Sequence, residues 1–433
     1  MEKVNRYGLL YTLKGSDSNL KPAVFMAHQD VVPAANPSKW SHPPFEAFYD
    51  GQWLWGRGSV DCKNNLIGLL STMEHLLSQG FKNKRTFIFS FGFDEETGGE
   101  RGSRYLAEHL EKKLGKDSVA MILDEGGMGI ESVGDVTYAF PAVAEKGYVD
   151  IVLTLESPGG HSSRPPSHSA IGIMSEMVTA LEDHPFDPFL DKTNPYHGVL
   201  QCQAKHSPSN FEPWLKDALL DSNGSSIASR IASSRGDSAR FLMQTSQAVD
   251  IIHGGVKDNQ LPERVETTIN YRILPHDKLD DILRQTADLL APIAHKHSIP
   301  VQGFGYSDAP RSTGLLKLSS NQRLEPSALT STSPDSRIWS LFAGTLVEVL
   351  ADTTSPKTTT RARTVVPAGT LMTGNTDTKH YWNLSKNIYR FSPRREGTFE
   401  GVHTVDERLD MRSHLEGLMV YYKLIRNLDA FEG

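Results

Sequence analysis

At 433 residues the chain exceeds the usual single-domain range, so two compact units with sizeable buried cores are expected. With 38% hydrophobic and 22% charged residues it reads as globular rather than disordered, and a net charge of -7 without a long Lys/Arg run argues against nucleic acid as a partner. Two cysteines, Cys62 and Cys202, exclude a disulfide framework and a thiolate-rich zinc finger, which leaves His and carboxylates as the metal ligands on offer and one disulfide open.

No apolar stretch approaches the about 20 residues needed to span a bilayer. The opening MEKVNRYGLLYTLKGSD lacks the apolar core of a signal peptide, so the chain as written is expected to be soluble and, if complete, cytoplasmic.

In chain order, AVFMAH (23–28) is the first buried strand, a continuous apolar run of the parallel-sheet kind, and it ends on His28-Gln-Asp30. His28 can ligate a metal there, and Asp30, two residues on and on the same strand face, can orient its ring. A glycine-containing turn, Trp55-Gly-Arg-Gly-Ser-Val-Asp61, then delivers a carboxylate just before a helix, where a plain N-cap is the competing reading. RTFIFSFGF (85–93) is the next strand and runs into Asp94-Glu95-Glu96-Thr97-Gly98-Gly99. Three adjacent like charges at a strand end repel unless cations or protons neutralise them; the alternative is a solvated acidic loop. SVAMILDE (118–125) repeats the pattern with Asp124 and Glu125. In an open α/β sheet the ligand site lies at the carboxyl ends of the strands, where His28, Glu95, Glu96 and Asp124 fall.

From Glu145 the pattern changes to alternation, with half-solvated antiparallel strands at YVDIVLTLES (148–157) and RVETTINYRIL (264–274), each followed by a helical pattern, at 168–183 and 277–297. A small α+β domain of the ferredoxin-like kind is expected here, inserted into the first. The Ser-, Pro- and Asn-rich stretch 306–336 reads as the return linker. α/β character resumes at 336–350, and His403 precedes a closing helix at 407–428. Together the two His and the carboxylates form the hard-to-borderline donor set that suits zinc or another divalent ion.

In order and spacing these motifs resemble the co-catalytic dizinc aminoacylase and carboxypeptidase family, closest to its vacuolar carboxypeptidase S branch, which also includes N-acyl amino acid hydrolases. The likeness spans nearly the whole chain. It implies an α/β zinc-peptidase catalytic domain with a mainly parallel central sheet (1–144 and 311–433), interrupted by an inserted ferredoxin-like lid and dimerisation domain (145–310). It implies two zinc ions per chain: His28 and Asp124 on one, Glu96 and His403 on the other, Asp61 bridging. Asp30 is then the partner of His28 and Glu95 the general base. His161, in Gly159-Gly160-His161-Ser-Ser, matches the family's substrate-contacting histidine, which reaches the active site of the neighbouring subunit in a homodimer, and Asn259 matches a second substrate contact. Where the branch has Gly-Gly-Thr-Asp-Ser-Arg-His, this chain reads Gly374-Asn375-Thr376-Asp377-Thr378-Lys379-His380, so Lys379 replaces an arginine that would clamp a substrate carboxylate.

The implied reaction is hydrolysis of the amide bond of a small peptide or N-acyl amino acid with a free carboxylate, in a vacuole or secretory-pathway lumen. The alternatives are an N-fatty-acyl amino acid amidohydrolase and a catalytically silent binding or scaffold protein. The family carries more sequence ahead of its counterpart of Tyr7-Gly-Leu-Leu-Tyr, so a truncated product is expected.

Overall fold

A computed structural model describes residues 1–219, 224–353 and 364–432. The chain divides into two compact units, the first made of Met1–Ala144, Pro195–Asp217 and Leu329–Gly433, the second of Glu145–Asn194 and Ala218–Ala328.

The first unit is built on an eight-stranded sheet in the spatial order Glu2–Val4, Gly8–Leu13, Phe87–Gly92, Ala23–His28, Met121–Asp124, Ile388–Arg390, Ala142–Glu145 and Thr370–Met372. The four strands from Phe87–Gly92 to Ile388–Arg390 run parallel, and every residue in them is buried. Their near-continuous apolar sequence follows from that, because both faces are covered. Phe25, Phe87 and Phe89 pack on one face with Leu69, Phe342 and Val420 of three helices. Val24, Met26 and Ile88 pack on the other with Leu106 and Tyr381. Parallel alignment sends all four strands to the same edge with their carboxyl ends, and His28 and Asp124 are the last residues of two neighbouring strands. A separate four-stranded sheet, Phe399–Glu400, Arg408–Asp410, Trp53–Trp55 and Phe48–Tyr49, ties the Asp61 turn to the His403 segment.

The second unit carries a six-stranded sheet in the order Ser246–Gly254, Arg264–Ile273, Gly147–Glu156, Leu315–Leu324, Val301–Gly303 and Tyr306–Ser307. Its first four strands with helices Ala170–Asp183 and Leu279–Lys296 form the ferredoxin-like βαββαβ arrangement. Alternate residues Val265, Thr267, Ile269, Tyr271 and Ile273 are buried, so period-two patterning is what the sheet's covered face requires.

Two expectations about this region are corrected. The stretch 306–336 is not a linker: Leu315–Leu324 is a full strand beside Gly147–Glu156, and the second unit extends past 310 to Ala328. Only its first half is apolar, Leu316 and Leu318 being core; the polar Ser319–Arg323 part is held by backbone pairing, which side-chain pattern does not report. The segment Pro195–Asp217, inside the expected 145–310 insertion, belongs to the first unit. Its helix Pro195–His206 packs on strand Thr370–Met372, and Ser207 shares a 2.8 Å hydrogen bond with the Tyr138 hydroxyl. Both cysteines are free thiols.

Candidate metal centre

His28 is 1% exposed at its strand end. Its Nε2 lies 2.9 Å from Asp61 Oδ1, and its Nδ1 lies 2.9 Å from the Asp30 carbonyl and 3.4 Å from Asp30 Oδ1. Burial opposes charge on this ring, but Cys62, Asp30 and Asp61 together raise its pKa well above the usual value. The Asp30 carboxylate is used chiefly elsewhere: it accepts from the Glu95 and Glu96 backbone N–H groups at 3.1 and 3.0 Å, so it holds the acidic turn as well as facing the ring.

The Asp61 turn needs Gly58, whose φ is +83° and whose missing Cβ would meet Val31 Cγ1 at 2.3 Å. From this turn the second carboxylate oxygen of Asp61 lies 3.1 Å from His403 Nε2, and the same nitrogen is 3.3 Å from Glu96 Oε2. Two groups of ligand atoms, each within 4.8 Å of one another, result: His28, Asp61 and Cys62, and Asp61, Glu96 and His403. Asp61 belongs to both. Asp124 is buried one strand from His28, with Oδ1 accepting from the Glu125 N–H, and falls in neither group. Cys62, in the place next to His28, accepts from the His28 N–H at 3.1 Å, and burial pushes its thiol up to about 12.

Glu95 starts the single turn Glu95–Thr97, and burial, then Glu125 and Asp377, push its carboxyl up to about 10. Burial and Asp61 raise Glu96, burial and Asp61 raise Glu125, and burial and Asp124 push Asp377 up to about 7. Glu96 Oε1 and Asp377 Oδ1 are buried without a hydrogen-bond partner. A cluster of carboxylates that favours protonation, with unsatisfied oxygens and two imidazoles among it, fits a divalent cation that would neutralise it.

Three of the side chains at this edge were not assigned a role from sequence. Asp377 accepts from the Ser103 hydroxyl, and Gly99 leaves it room, since a Cβ there would lie 2.2 Å from its Oδ1. Glu125 is buried beside Asp124, and Glu407 is buried against the Asp61 turn. Asp377 and Glu407 sit beside Lys379 and His403 in the sequence, but an acid in a turn normally faces water, so nothing in the letters marks it as buried. Lys379 shares the turn Asp377–His380 with Asp377, and its Nζ lies 3.7 Å from where a Cβ on Gly98 would be, while His380 Nε2 is 3.0 Å from the Gly98 carbonyl.

His161 and Asn259 belong to the second unit and form a group of their own. Gly160–His161 pairs with Gln260–Leu261, and the Ser162 N–H donates to the Asn259 carbonyl. His161 Nδ1 is 3.1 Å from the Ser163 N–H, which donates to it, so its proton resides on Nε2 when the ring is neutral.

An α/β sheet whose parallel strands end at His28 and Asp124, with Asp61, Glu96 and His403 brought beside them from loops, suits a metal-dependent hydrolase. The family model of peptidase family M20/M25/M40 matches residues 24–427, and the chain belongs to that family. It is 40% identical to carboxypeptidase S of Saccharomyces cerevisiae, over 100% of this chain and 76% of that protein. It is 28% identical to the N-fatty-acyl-amino acid synthase/hydrolase PM20D1.1 of Danio rerio, over 99% of this chain and 76% of that one. Among solved structures, the M20 family metallo-carboxypeptidase of Sulfolobus solfataricus shares the fold with a TM-score of 0.65 at 15% identity, over 99% of this chain and 90% of that chain. No helix among the described residues is long and apolar enough to cross a membrane.

Proposed function

We propose that the chain is a dizinc carboxypeptidase that hydrolyses the amide bond next to the C-terminal residue of small peptides or N-acyl amino acids. The observation that carries this is the position of Asp61, whose two oxygens face different histidines, His28 at 2.9 Å and His403 at 3.1 Å. One carboxylate with an imidazole on each oxygen is what a bridge between two cations requires. In this reading His28 and Asp124 hold one zinc, Glu96 and His403 hold the other, and the Cys62 sulfur supports His28 by accepting from its backbone N–H.

Two zinc ions held by these residues would lower the pKa of a water and draw electron density from the scissile carbonyl. Glu95, half-buried and not among the proposed ligands, would take the proton from the attacking water and pass it to the leaving amine. A bound cation would favour the ionised form of Glu95, the form that can act as a base. The Asp30 carboxylate fixes Glu95 and Glu96 through their backbone N–H groups. His161, with its proton on Nε2, supplies a donor to the developing oxyanion, and Asn259 and Lys379 hold the substrate's free carboxylate. Lys379 brings a point charge where an arginine would bring a fork, so carboxylate binding depends on charge more than on bidentate geometry.

The second unit acts as a lid and dimerisation domain in this reading, with His161 acting across a homodimer, and the enzyme works in a vacuole or secretory-pathway lumen. Resemblance to the carboxypeptidase S branch supports these parts. The relative from Danio rerio favours a second substrate class, N-fatty-acyl amino acids. The test is metal analysis combined with turnover of a blocked dipeptide and of an N-fatty-acyl amino acid on the same protein. Near two zinc per chain with faster dipeptide turnover is expected. Faster fatty-acyl turnover reverses the substrate assignment, and a well-folded protein that binds no zinc overturns the whole reading.

A further inference from the structure

The buried carboxylate of Glu407 makes four contacts, all to the short segment that ends in Asp61. Oε2 accepts from Arg57 Nη1 at 2.6 Å and from the Gly58 N–H at 2.8 Å; Oε1 accepts from the Val60 N–H at 2.8 Å and the Asp61 N–H at 3.1 Å. Glu407 is 1% exposed and Arg57 7%. The chain carrying Glu407 is the one carrying His403, four residues earlier, and Arg57 closes the loop between them by donating from Nη2 to the Thr404 carbonyl at 2.9 Å. Next to these, the Gly56 N–H donates to the Glu407 carbonyl at 2.9 Å, and Trp55 pairs with Arg408. The neighbouring Asp406 carboxylate accepts from the Ser41 N–H at 2.7 Å and from its hydroxyl at 2.8 Å, which pins the far side of the same loop.

We infer that Glu407 is a positioning residue for the metal centre, holding the Asp61 turn and the His403 loop in register so that Asp61 and His403 meet the same cation. Three backbone N–H groups converging on one carboxylate fix the path of residues 58–61 more narrowly than the glycines of that turn could by themselves. A metal tolerates ligand-distance errors of only about 0.2 Å, so freedom in this turn is read directly as lost affinity. His403 has the greatest need of such support, because its side chain is 51% exposed and its backbone adopts φ 59°. Glu407 touches neither substrate nor metal; it acts through the placement of Asp61 and His403.

This inference rests on Asp61 and His403 being ligands, and the experiment separates the two claims. Zinc affinity of the full chain is measured by competition with a chromophoric chelator for the parent, Glu407→Gln, Glu407→Asp and Asp410→Asn, alongside thermal unfolding of each metal-free protein. Asp410 is a buried acid of the same segment that caps the last helix and contacts Gln52 and Arg412, not residues 57–61. Zinc binding about 10- to 100-fold weaker in Glu407→Gln, the range typical for partners that orient metal ligands, is expected, with parental affinity in Asp410→Asn even though its unfolding temperature falls. Glu407→Asp keeps a charge beside Arg57 but cannot span all three N–H groups, so it folds and shows a smaller loss in the same direction; it decides the matter if Glu407→Gln does not fold. Parental affinity in either folded Glu407 variant overturns the inference, as does an equal loss in Asp410→Asn. A parent that binds no zinc instead overturns the ligand assignment beneath it.

Discussion

The carboxyl edge of the eight-stranded sheet and the His161 edge of the second unit hold their polar groups in opposite ways. At the first, His28 and Asp124 are 1% and 3% exposed, and the loops they face are tied by carboxylate-to-backbone hydrogen bonds from Asp30 and Glu407. At the second, His161 stands exposed on a two-residue strand, its ring oriented by the Ser163 N–H and hydroxyl at 3.1 and 2.8 Å from Nδ1. A site that must place cations within tenths of an ångström needs the first kind of support, whereas a group that meets a variable substrate can use the second. The difference predicts that variants of the proposed ligands at the sheet edge act through metal content and variants at the second edge act on turnover alone.

The largest effect is expected for Asp61→Ala. A bridging carboxylate serves both cations and neutralises part of their repulsion, so zinc content drops below one per chain and activity falls to background. Two tightly held ions in this variant would remove Asp61 from the bridging position. Next comes Glu95→Gln, which keeps the shape and loses the basicity: turnover falls about 100-fold or more while zinc content stays parental. Retention of more than about a tenth of parental activity would take Glu95 out of the proton-transfer role.

His161→Ala sharpens the contrast from the other side. Turnover falls about 100-fold, the scale of one lost oxyanion donor, with zinc content unchanged. If His161 acts across a two-fold dimer, mixing His161→Ala with Glu95→Gln chains restores activity, because each hybrid has one site with both groups intact. Random exchange makes half the dimers hybrid, so roughly a quarter of parental activity is the ceiling. No recovery after proven subunit exchange would assign His161 to its own chain.

How much of this was legible in the letters follows the same division. His28 and Asp124 end continuous apolar runs, and such runs are what a doubly covered parallel sheet demands, so strand, edge and candidate ligand were readable together. The ferredoxin-like order was readable from two alternating strands with their helices. Leu315–Leu324 was missed because half of it is held by backbone pairing under polar letters, and Pro195–Asp217 because only long-range packing returns it to the first unit. Glu407, Glu125 and Asp377 escaped assignment for one reason: their burial is created by chain segments far away in sequence, Glu407 by residues 57–61, about 350 positions earlier, and Asp377 by Ser103.

The effect that leaves activity aside concerns stability and sets the second unit's core against its surface edge. Lys146 is fully buried, donates to the Gln244 carbonyl at 2.6 Å, and is pushed down to about 7 by burial, with Arg272 acting in the same direction and Asp277 opposing. A lysine depressed in the folded state binds fewer protons there than in the unfolded chain between pH 7 and the unfolded value near about 10.4. Stability contributed by this site therefore rises with pH through that window, and the penalty of burying the charge is fully felt below pH 7. Replacing Lys146 by Met removes the titration but leaves the Gln244 carbonyl without this donor, a pH-independent cost on the order of 1–3 kcal/mol. The difference in unfolding free energy between Lys146→Met and the parent should thus move in favour of the variant as pH falls from 10 to 7, by up to about 1.4 kcal/mol per pH unit. Urea unfolding of both proteins, metal-free, at pH 7, 8.5 and 10 measures it, and a difference that is flat with pH would mean that Lys146 titrates at an ordinary value despite its burial.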